Sequence, residues 1–217
     1  MESPTISVVV SCYKKHLVKL MRLLDSIAQQ TVKPLEVIVS SSSCEPSDVP
    51  TIADYPFPVT LVLHRVRKNA AENRNIAMKL ARGDIVSFID ADDIMLPRRL
   101  EAIRTAFVQG ARFVGHGYTW KLNATDAETG GEIVIQHGVL TRATTLGLAH
   151  THNNHFNVHH SQTSVARDIV ATIQYREETE YERREDSVFC GDVVITGCPN
   201  AYIPNKLSIY DEAGSWD

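Results

Sequence analysis

Apolar runs alternate with helix-type patterns over the first hundred residues of the chain. Four runs rich in branched residues are predicted to be strands, at 6–11, 35–40, 59–64 and 85–89. Between them lie a helix with one apolar face, formed by Leu17, Leu20, Met21, Leu24 and Ile27, and a helix that contains 75–80 and that we expect to end at Gly83. Strands alternating with helices of this length predict an α/β fold with a Rossmann-like, mostly parallel central sheet flanked by helices.

The pattern continues for one more helix and then loosens after Trp120. Pro97 is expected at the first position of that helix, whose buried face is formed by Leu100, Ile103 and Phe107. Residues 121–131 are polar and predict an exposed turn, and 137–163, rich in His, Asn and Thr, predict an irregular segment over a functional site. Regularity returns with a predicted helix at 186–194 and a short strand at 201–203. Since no linker is visible, we expect a single domain over 1–217.

Three carboxylates follow directly on the fourth predicted strand, at Asp90, Asp92 and Asp93. In an extended chain Asp90 and Asp92 project to one side and Asp93 to the other. Two like charges about 4 Å apart repel by roughly 4 kcal/mol at an effective dielectric near 20. A divalent cation with oxygen ligands offsets such repulsion, so the motif favours a metal or phosphate-ester site over a solvated acidic turn.

Bulk composition narrows the classes of function. The 217 residues are 43% hydrophobic and 22% charged with a net charge of −4, which provides no electrostatic footprint for nucleic acid. No apolar stretch approaches the ~20 residues that span a bilayer, and the N-terminus lacks a signal-peptide pattern, so we expect a cytoplasmic protein. The four cysteines are scattered, which argues against a zinc knuckle or a disulfide framework.

Three segments, in order along the chain, resemble the family 2 glycosyltransferases, the inverting group with the GT-A fold. They are Ile6-Ser-Val-Val-Val-Ser-Cys-Tyr-Lys14, the stretch from Asn69-Ala-Ala-Glu-Asn-Arg-Asn75 to Asp90-Ala-Asp-Asp93, and Arg184-Glu-Asp-Ser-Val-Phe-Cys190 with 202–210 behind it. The resemblance implies a hexosyltransferase-type enzyme of polysaccharide biosynthesis. It would move a sugar from a nucleoside-diphosphate donor to a hydroxyl of a glycan or related acceptor. It also implies a nucleotide-sugar part at 1–120 and an acceptor part with the catalytic base at 121–217.

The resemblance assigns the donor-binding loop residue by residue. Asp90 corresponds to the aspartate that contacts the ribose or donor sugar, and Asp92 to the one that coordinates Mn²⁺ or Mg²⁺ on the diphosphate, with Asp90 as a further metal ligand. Ala91 lies between them in the donor-binding loop, and Asp93 is expected to steady it. A hard cation there stabilises charge on the departing diphosphate.

Three more residues are assigned roles around the reacting atoms by the resemblance. Arg74 is expected to reach the phosphates or the acidic loop, because a planar guanidinium with five donors bridges such groups. Asp186 corresponds to the catalytic base that takes the proton from the acceptor hydroxyl. Glu185 is expected to orient that base or touch the acceptor. Without the resemblance, the acidic stretch 177–186 is more typical of a solvated helix face than of a catalytic site.

Nucleotide recognition departs from the family pattern at the end of the second strand. Family members commonly carry Asp-Asp-Gly-Ser there, whereas this chain has serines followed by Cys44. Ser41, Ser42 or the backbone is expected to contact the nucleobase instead. Cys12 and Tyr13, at the exit of the first strand, resemble positions that pack against the nucleobase, and Ser11 is a further candidate contact of the donor. A UDP-sugar is the favoured donor, although the missing acid puts uracil in doubt.

Histidines crowd the segment that we expect to be irregular: His150, His152, His155, His159 and His160. A zinc site is one interpretation, but no Cys or Glu pair supports it. Contacts with sugar hydroxyls are the favoured interpretation, and His159 or His160 is a candidate further ligand of the cation.

Three other classes remain open on the residues alone. A strand ending in Asp-X-Asp also begins the site of haloacid-dehalogenase-like phosphohydrolases, but there it lies near the N-terminus and precedes Gly-Thr or Gly-Ser. A sugar-nucleotide pyrophosphorylase should carry a Gly-rich basic loop after the first strand, where this chain has Cys12-Tyr13-Lys14. A carbohydrate- or nucleotide-binding module without activity is the third, and only turnover distinguishes it.

Overall fold

The computed structural model describes residues 3–52, 54–120, 131–145, 160–181 and 184–210. The strands are β1 Ile6–Tyr13, β2 Glu36–Ser42, β3 Val59–His64, β4 Ile85–Asp90, β5 Ile94–Met95, β6 Phe113–Trp120, β7 Gln136–His137, β8 Thr163–Ala166 and β9 Asn200–Tyr210. The helices are α1 Leu17–Ala28, α2 Ala70–Lys79, α3 Arg99–Val108, α4 Arg142–Thr145, α5 Arg167–Val170 and α6 Glu185–Ile195. The predicted alternation of strands and helices is therefore confirmed.

One sheet joins these strands in the order β3-β2-β1-β4-β8-β6-β9-β5, and β7 pairs with β9. The strands β3, β2, β1 and β4 are mutually parallel, as predicted. Beyond β4 the sheet is mixed, because β8 runs antiparallel to both β4 and β6 while β6 and β9 are parallel. The regular α/β pattern of the sequence thus corresponds to the parallel half of the sheet.

Both faces of the parallel half are covered, which explains why its strands are almost continuously apolar. On one face Val8 and Val10 of β1 pack in a cluster with the apolar side of α1 and with α3. On the other face Val9 packs in a second cluster with Met78 of α2 and Phe189 of α6. Neighbouring side chains of one strand therefore belong to different cores.

The order of the strands reverses between β1 and β4. The chain adds β2 and β3 on one side of β1 and then places β4 on the other, with Ser11 in register with Asp90. In open α/β sheets ligands bind outside the carboxyl ends of the strands at such a switch point. The fold therefore places the acidic loop 90–93 where this class of sheet binds its ligands.

Several predicted boundaries need correction. Gly83 does not end α2, which stops at Lys79; Gly83 instead lies so close to β1 that an added Cβ would be 2.6 Å from the Ser7 nitrogen. Pro97 precedes α3 by two residues instead of opening it. The final strand runs over Asn200–Tyr210 instead of 201–203, because most of its length pairs with β6.

Two predicted features lie partly outside the described residues. Residues 121–130 of the polar turn and residues 146–159 of the irregular segment are not described, so His150, His152, His155 and His159 are not placed. The described remainder of the irregular segment holds α4 and a short turn before β8. Among the helices that the structure describes, none is long and apolar enough to cross a membrane.

Candidate active site

A cavity of about 240 Å³ opens at the carboxyl ends of β1 and β4. Six of the residues predicted from the sequence line it: Ser11, Cys12, Tyr13, Arg74, Asp90 and Asp92. Its other lining residues are His16, Lys68, Ala70, Asn73 and Tyr210. The switch point of the sheet therefore gathers the predicted donor-binding residues in one cleft.

The Asp90 carboxylate contacts three neighbouring side chains through hydrogen bonds. Its Oδ1 accepts a 2.5 Å hydrogen bond from Ser11 Oγ, and Arg74 Nη2 lies 3.4 Å from the same oxygen. Its Oδ2 accepts a 3.3 Å hydrogen bond from Ser161 Oγ. Burial alone would raise the pKa of Asp90, but the charge of Arg74, the contact with His160 and the Ser11 hydrogen bond outweigh it, so the pKa is lowered. Asp90 is therefore ionised near neutral pH.

Asp92 has a different environment although it lies only two residues away. Its side chain is buried, and its Oδ2 is 3.8 Å from His16 Nδ1. Burial and then the negative charge of Asp90 raise the pKa of Asp92. Its charge is thus incompletely balanced by the described protein groups, which is the condition that a bound cation would relieve.

The other two residues of the loop face inward. Ala91 is fully buried, belongs to the α1 side of the core and donates its backbone N–H to Ser11 O at 3.2 Å. The backbone N–H of Asp93 donates to Asp90 O at 3.1 Å, and the charge of its carboxylate partly opposes the lowering of the Arg99 pKa by burial. Ala91 and Asp93 therefore shape the loop from beneath, and Ala91 offers only its backbone to a ligand.

Arg74 connects the acidic loop with the helix that carries the predicted base. It extends from α2, where Asn69 and Glu72 form a capping box that fixes the first turn. Its Nη1 donates to Glu185 Oε1 at 2.7 Å, while its Nη2 contacts Asp90. Burial opposes the charge of this guanidinium, but Asp90 and Glu185 raise its pKa, so it remains protonated.

Glu185 and Asp186 form the first turn of α6, where the helix dipole favours carboxylates. Asp186 Oδ1 accepts a 2.6 Å hydrogen bond from the Ser187 backbone N–H. The charge of Asp186 also contributes to the pKa shifts of Arg74 and His160, which places it within electrostatic reach of the cleft. Neither acid is among the described residues that line the cavity, so the structure brings them to its border through Arg74.

Ser41 does not reach the cleft. All three serines at this end of β2 are fully buried, but only Ser40 and Ser42, on the side opposite to Ser41, bond to Asn73 among the hydrogen bonds described. Ser40 Oγ donates to Asn73 Oδ1 at 2.9 Å, and Asn73 Nδ2 donates to Ser42 Oγ at 3.3 Å. Asn73 itself lines the cavity, so it presents the polar end of β2 to a ligand. The sequence contained a signal for this difference, because successive side chains of a strand point to opposite faces and Ser41 therefore points away from the side of Ser40 and Ser42.

A layer of buried polar residues lies behind Asp90 and was not predicted from the sequence. Arg99 is fully buried and donates from Nη2 to Phe88 O at 2.7 Å and to Ser161 O at 2.9 Å, and from Nε to His116 Nε2 at 2.8 Å. Burial lowers its pKa to about 9. Arg99 thus ties β4, β6 and the turn carrying Ser161 together. The sequence shows two adjacent arginines and no sign of which is buried.

His160 belongs to the same layer. Its Nδ1 is 2.8 Å from the Tyr175 hydroxyl and its Nε2 is 3.7 Å from Asp90 Oδ1. Burial, followed by the charge of Arg74, lowers the pKa of His160 to about 3, so the ring is neutral. Burial raises the pKa of Tyr175, so its hydroxyl stays protonated in this hydrogen bond with Nδ1. His160 lies beneath Asp90, at 2% exposure.

Comparison with known proteins agrees with this geometry. The family model for glycosyl transferase family 2 matches residues 7–173, so the chain belongs to that family. An uncharacterized glycosyltransferase of Haemophilus influenzae is 33% identical over 98 residues, which cover 45% of this chain and 33% of that protein. The YwdF glycosyltransferase of Bacillus subtilis is 34% identical over 97 residues, 44% of this chain and 35% of that protein. The chain thus spans about a third of the length of these curated relatives.

Solved structures show the same fold. The S. aureus TarS 1-349 structure in complex with UDP superimposes with a TM-score of 0.67 at 16% identity, over 95% of this chain and 60% of that one. The mannosyltransferase PcManGT from Pyrobaculum calidifontis, in complex with GDP-Man and Mn²⁺, gives 0.64 at 17% identity, over 97% and 57%. The predicted GT-A fold is confirmed, and family membership favours a transferase over the phosphohydrolase and pyrophosphorylase alternatives.

Proposed function

We propose that this chain transfers a hexose-type sugar from a nucleoside-diphosphate donor to an acceptor hydroxyl, in one inverting displacement that requires a divalent cation. The observation that carries the proposal is the position of Arg74. Its guanidinium contacts both Asp90, at the donor-binding loop, and Glu185, at the start of the helix with the candidate base. The leaving-group side and the proton-accepting side of the reaction thus meet at one cleft.

The acidic loop fits a hard divalent cation. Asp92 and Asp90 are the proposed ligands, since the raised pKa of Asp92 reflects negative charge that lacks full compensation. Among the described residues no group of three His, Cys, Asp or Glu side chains is arranged to hold a metal. Mg²⁺ commonly binds through one or two carboxylates plus substrate phosphates. When bound, Mg²⁺ or Mn²⁺ would stabilise charge on the departing diphosphate; the Mn²⁺ complex of PcManGT supports this choice.

Asp186 is proposed as the base. A carboxylate must accept the proton of the attacking hydroxyl, because the alcohol is a poor nucleophile until that proton leaves. Glu185, held by Arg74 at 2.7 Å, is proposed to orient the first turn of α6 so that Asp186 faces the acceptor. No protein nucleophile is needed, because the acceptor oxygen displaces the diphosphate directly.

A UDP-sugar remains the proposed donor, supported by the TarS complexes with UDP and UDP-GlcNAc. The proposed nucleotide contacts are Ser11, Tyr13 and Asn73, with Asn73 in the place that the sequence had suggested for Ser41. We propose that residues 1–120 bind the donor and that 121–217, within the same GT-A domain, bind the acceptor, a hydroxyl of a glycan in polysaccharide biosynthesis.

The replacement Asp186→Asn tests the proposal. We expect donor binding, measured by calorimetry with UDP and Mn²⁺, to remain within about twofold of wild type, because the base does not hold the nucleotide. Transfer, measured as release of UDP from a panel of UDP-sugars with glycan acceptors, should fall by about 10²–10⁴-fold.

The matched control is Asp192→Asn, on the same helix, where the carboxylate pairs with Arg176 on the surface. It should keep both binding and transfer. Transfer at the wild-type rate by Asp186→Asn would overturn the base assignment. Failure of wild-type protein to bind any nucleoside diphosphate or to turn over any donor would overturn the proposed function and favour a binding module without activity.

A further inference from the structure

Three aromatic side chains form one cluster at the ends of β6 and β9. Tyr118 and Trp120 are two residues apart on the same face of β6, and Tyr210 is the register partner of Trp120 in β9. The ring centroids are 5.6 Å apart for Tyr118 and Trp120, 5.2 Å for Trp120 and Tyr210, and 6.1 Å for Tyr118 and Tyr210. We call these three side chains the aromatic wall.

The aromatic wall is continuous with the cleft. Tyr210 lines the cavity together with Asp90 and Asp92, and the preceding residue of β9 pairs with β5, which directly follows the acidic loop. Trp120 extends the wall outward from Tyr210 on the neighbouring strand. A ligand that contacts the acidic loop and extends toward β6 would therefore contact these rings.

The cleft has two chemically different ends. The polar and cationic side chains Lys68 and Asn73 line it on the α2 side, in the parallel half of the sheet. The aromatic wall lies on the other side of the acidic loop, in the mixed half. Because the nucleotide is assigned to the α2 side, the aromatic side is left for the second substrate.

Trp120 is unusually exposed for its size. It is 41% accessible, although an indole in a well-packed surface normally buries most of its area. Its edge-on contacts with Tyr118 and Tyr210 hold the ring in a fixed direction. A rigid, partly exposed aromatic ring with phenol hydroxyls beside it suits a ligand with one apolar face and a polar rim, which describes a pyranose with several axial C–H bonds on one side.

We propose that the aromatic wall binds a pyranose ring of the acceptor glycan, stacked on Trp120 and beside Tyr210. This inference rests on the proposed function, because it takes the cleft to be the place of sugar transfer. It assigns the acceptor a minimum chemistry: a pyranose ring that presents a C–H face to the indole.

Saturation-transfer NMR with defined sugars tests the proposal. The probes are methyl β-glucopyranoside, methyl β-galactopyranoside and methyl N-acetyl-β-glucosaminide, titrated into the full chain with UDP and Mg²⁺. We expect at least one to bind wild type, with the strongest transfer to the protons of its C–H face. Trp120→Ala should weaken that binding at least about fivefold, because the stacking and the buried ring area are lost. Trp120→Phe should retain part of the affinity.

Tyr55→Ala is the matched control, since Tyr55 stacks on Phe57 in an aromatic pair that does not line the cleft. It should bind the sugars as wild type does. Calorimetry with UDP on every variant separates the two proposals. If UDP binds normally and the sugar affinity is unchanged in Trp120→Ala, or none of the sugars binds wild type, the acceptor assignment is overturned while the proposed function stands. If wild type binds neither UDP nor any other nucleoside diphosphate, both proposals are overturned.

Discussion

Buried carboxylates at the two ends of the parallel strands have pKa values shifted in opposite directions. At the amino end Glu36, the first residue of β2, is almost completely buried. Its Oε1 accepts hydrogen bonds from Ser7 Oγ and from the Arg82 backbone N–H, each at 2.8 Å, and its Oε2 accepts one from Arg82 Nε at 3.0 Å. Burial alone would raise the pKa of Glu36, but the bonds from Arg82 and Ser7 outweigh it and the pKa is lowered.

At the carboxyl end Asp92 is buried to a similar degree but its pKa is raised, by burial and by the neighbouring charge of Asp90. Burial therefore does not by itself decide whether a carboxylate is structural or functional. Glu36 accepts hydrogen bonds from Ser7 and Arg82, which we expect to contribute to stability, whereas Asp92 is the proposed ligand of the cation. Unbalanced charge at a ligand-binding edge is a physical sign of function.

Among the tests of this contrast, the replacement Asp92→Asn should have the largest effect. We expect affinity for UDP in the presence of Mg²⁺ or Mn²⁺ to fall at least about 100-fold. Replacing a residue that only supports a metal ligand already lowers metal affinity by about 10–100-fold, and Asp92 is proposed as a ligand itself. Without metal, the melting temperature should rise by about 2 °C, since the substitution removes like-charge repulsion. Calorimetric titration and thermal unfolding measure the two effects.

A lowered metal-free melting temperature together with unchanged nucleotide affinity would mean that Asp92 is a structural carboxylate like Glu36. The same two measurements on Glu36→Gln provide the matched control, because it is also a carboxylate-to-amide change in a buried position.

Glu36→Gln is the next test, with the opposite expectation. Its unfolding free energy in urea should fall by about 1.5–3 kcal/mol, because the charge-assisted hydrogen bonds from Ser7 and Arg82 to this buried carboxylate are weakened. Transfer and nucleotide binding should remain at wild-type levels, since Glu36 lies at the far end of β2. A loss of activity without loss of stability would contradict this separation of the two ends.

The smallest expected effect is on the pH dependence of stability. A carboxylate with a lowered pKa stabilises the fold above its ordinary value of 4.5 and loses that contribution as pH falls through the folded pKa. Urea unfolding of wild type and Glu36→Gln should therefore differ most near neutral pH and converge below about pH 4. Parallel curves through the acid range would show that Glu36 titrates alike in the folded and unfolded states.

Much of the parallel half was predictable because local signals agree there. The strands are continuous apolar runs, and Asp90 and Asp92 follow the fourth run directly. The start of α2 at Ala70 was not predicted, although Asn69 and Glu72 have the spacing of a capping box. The length of β9 was not predicted either, because Pro204 interrupts its apolar pattern and the strand exists through its pairing with β6 across an irregular register.

The family motifs, the alternation of strands and helices, and the place of the acids at a strand exit can be predicted from the chain alone, because these features depend on neighbours along it. Which side chains contact each other across the fold is set by tertiary packing. Arg74 meets Glu185 across 111 residues, and Arg99 is buried while the adjacent Arg98 pairs with Glu101 at the surface. Contacts between distant segments depend on how helices pack on the sheet, and no local pattern records that packing.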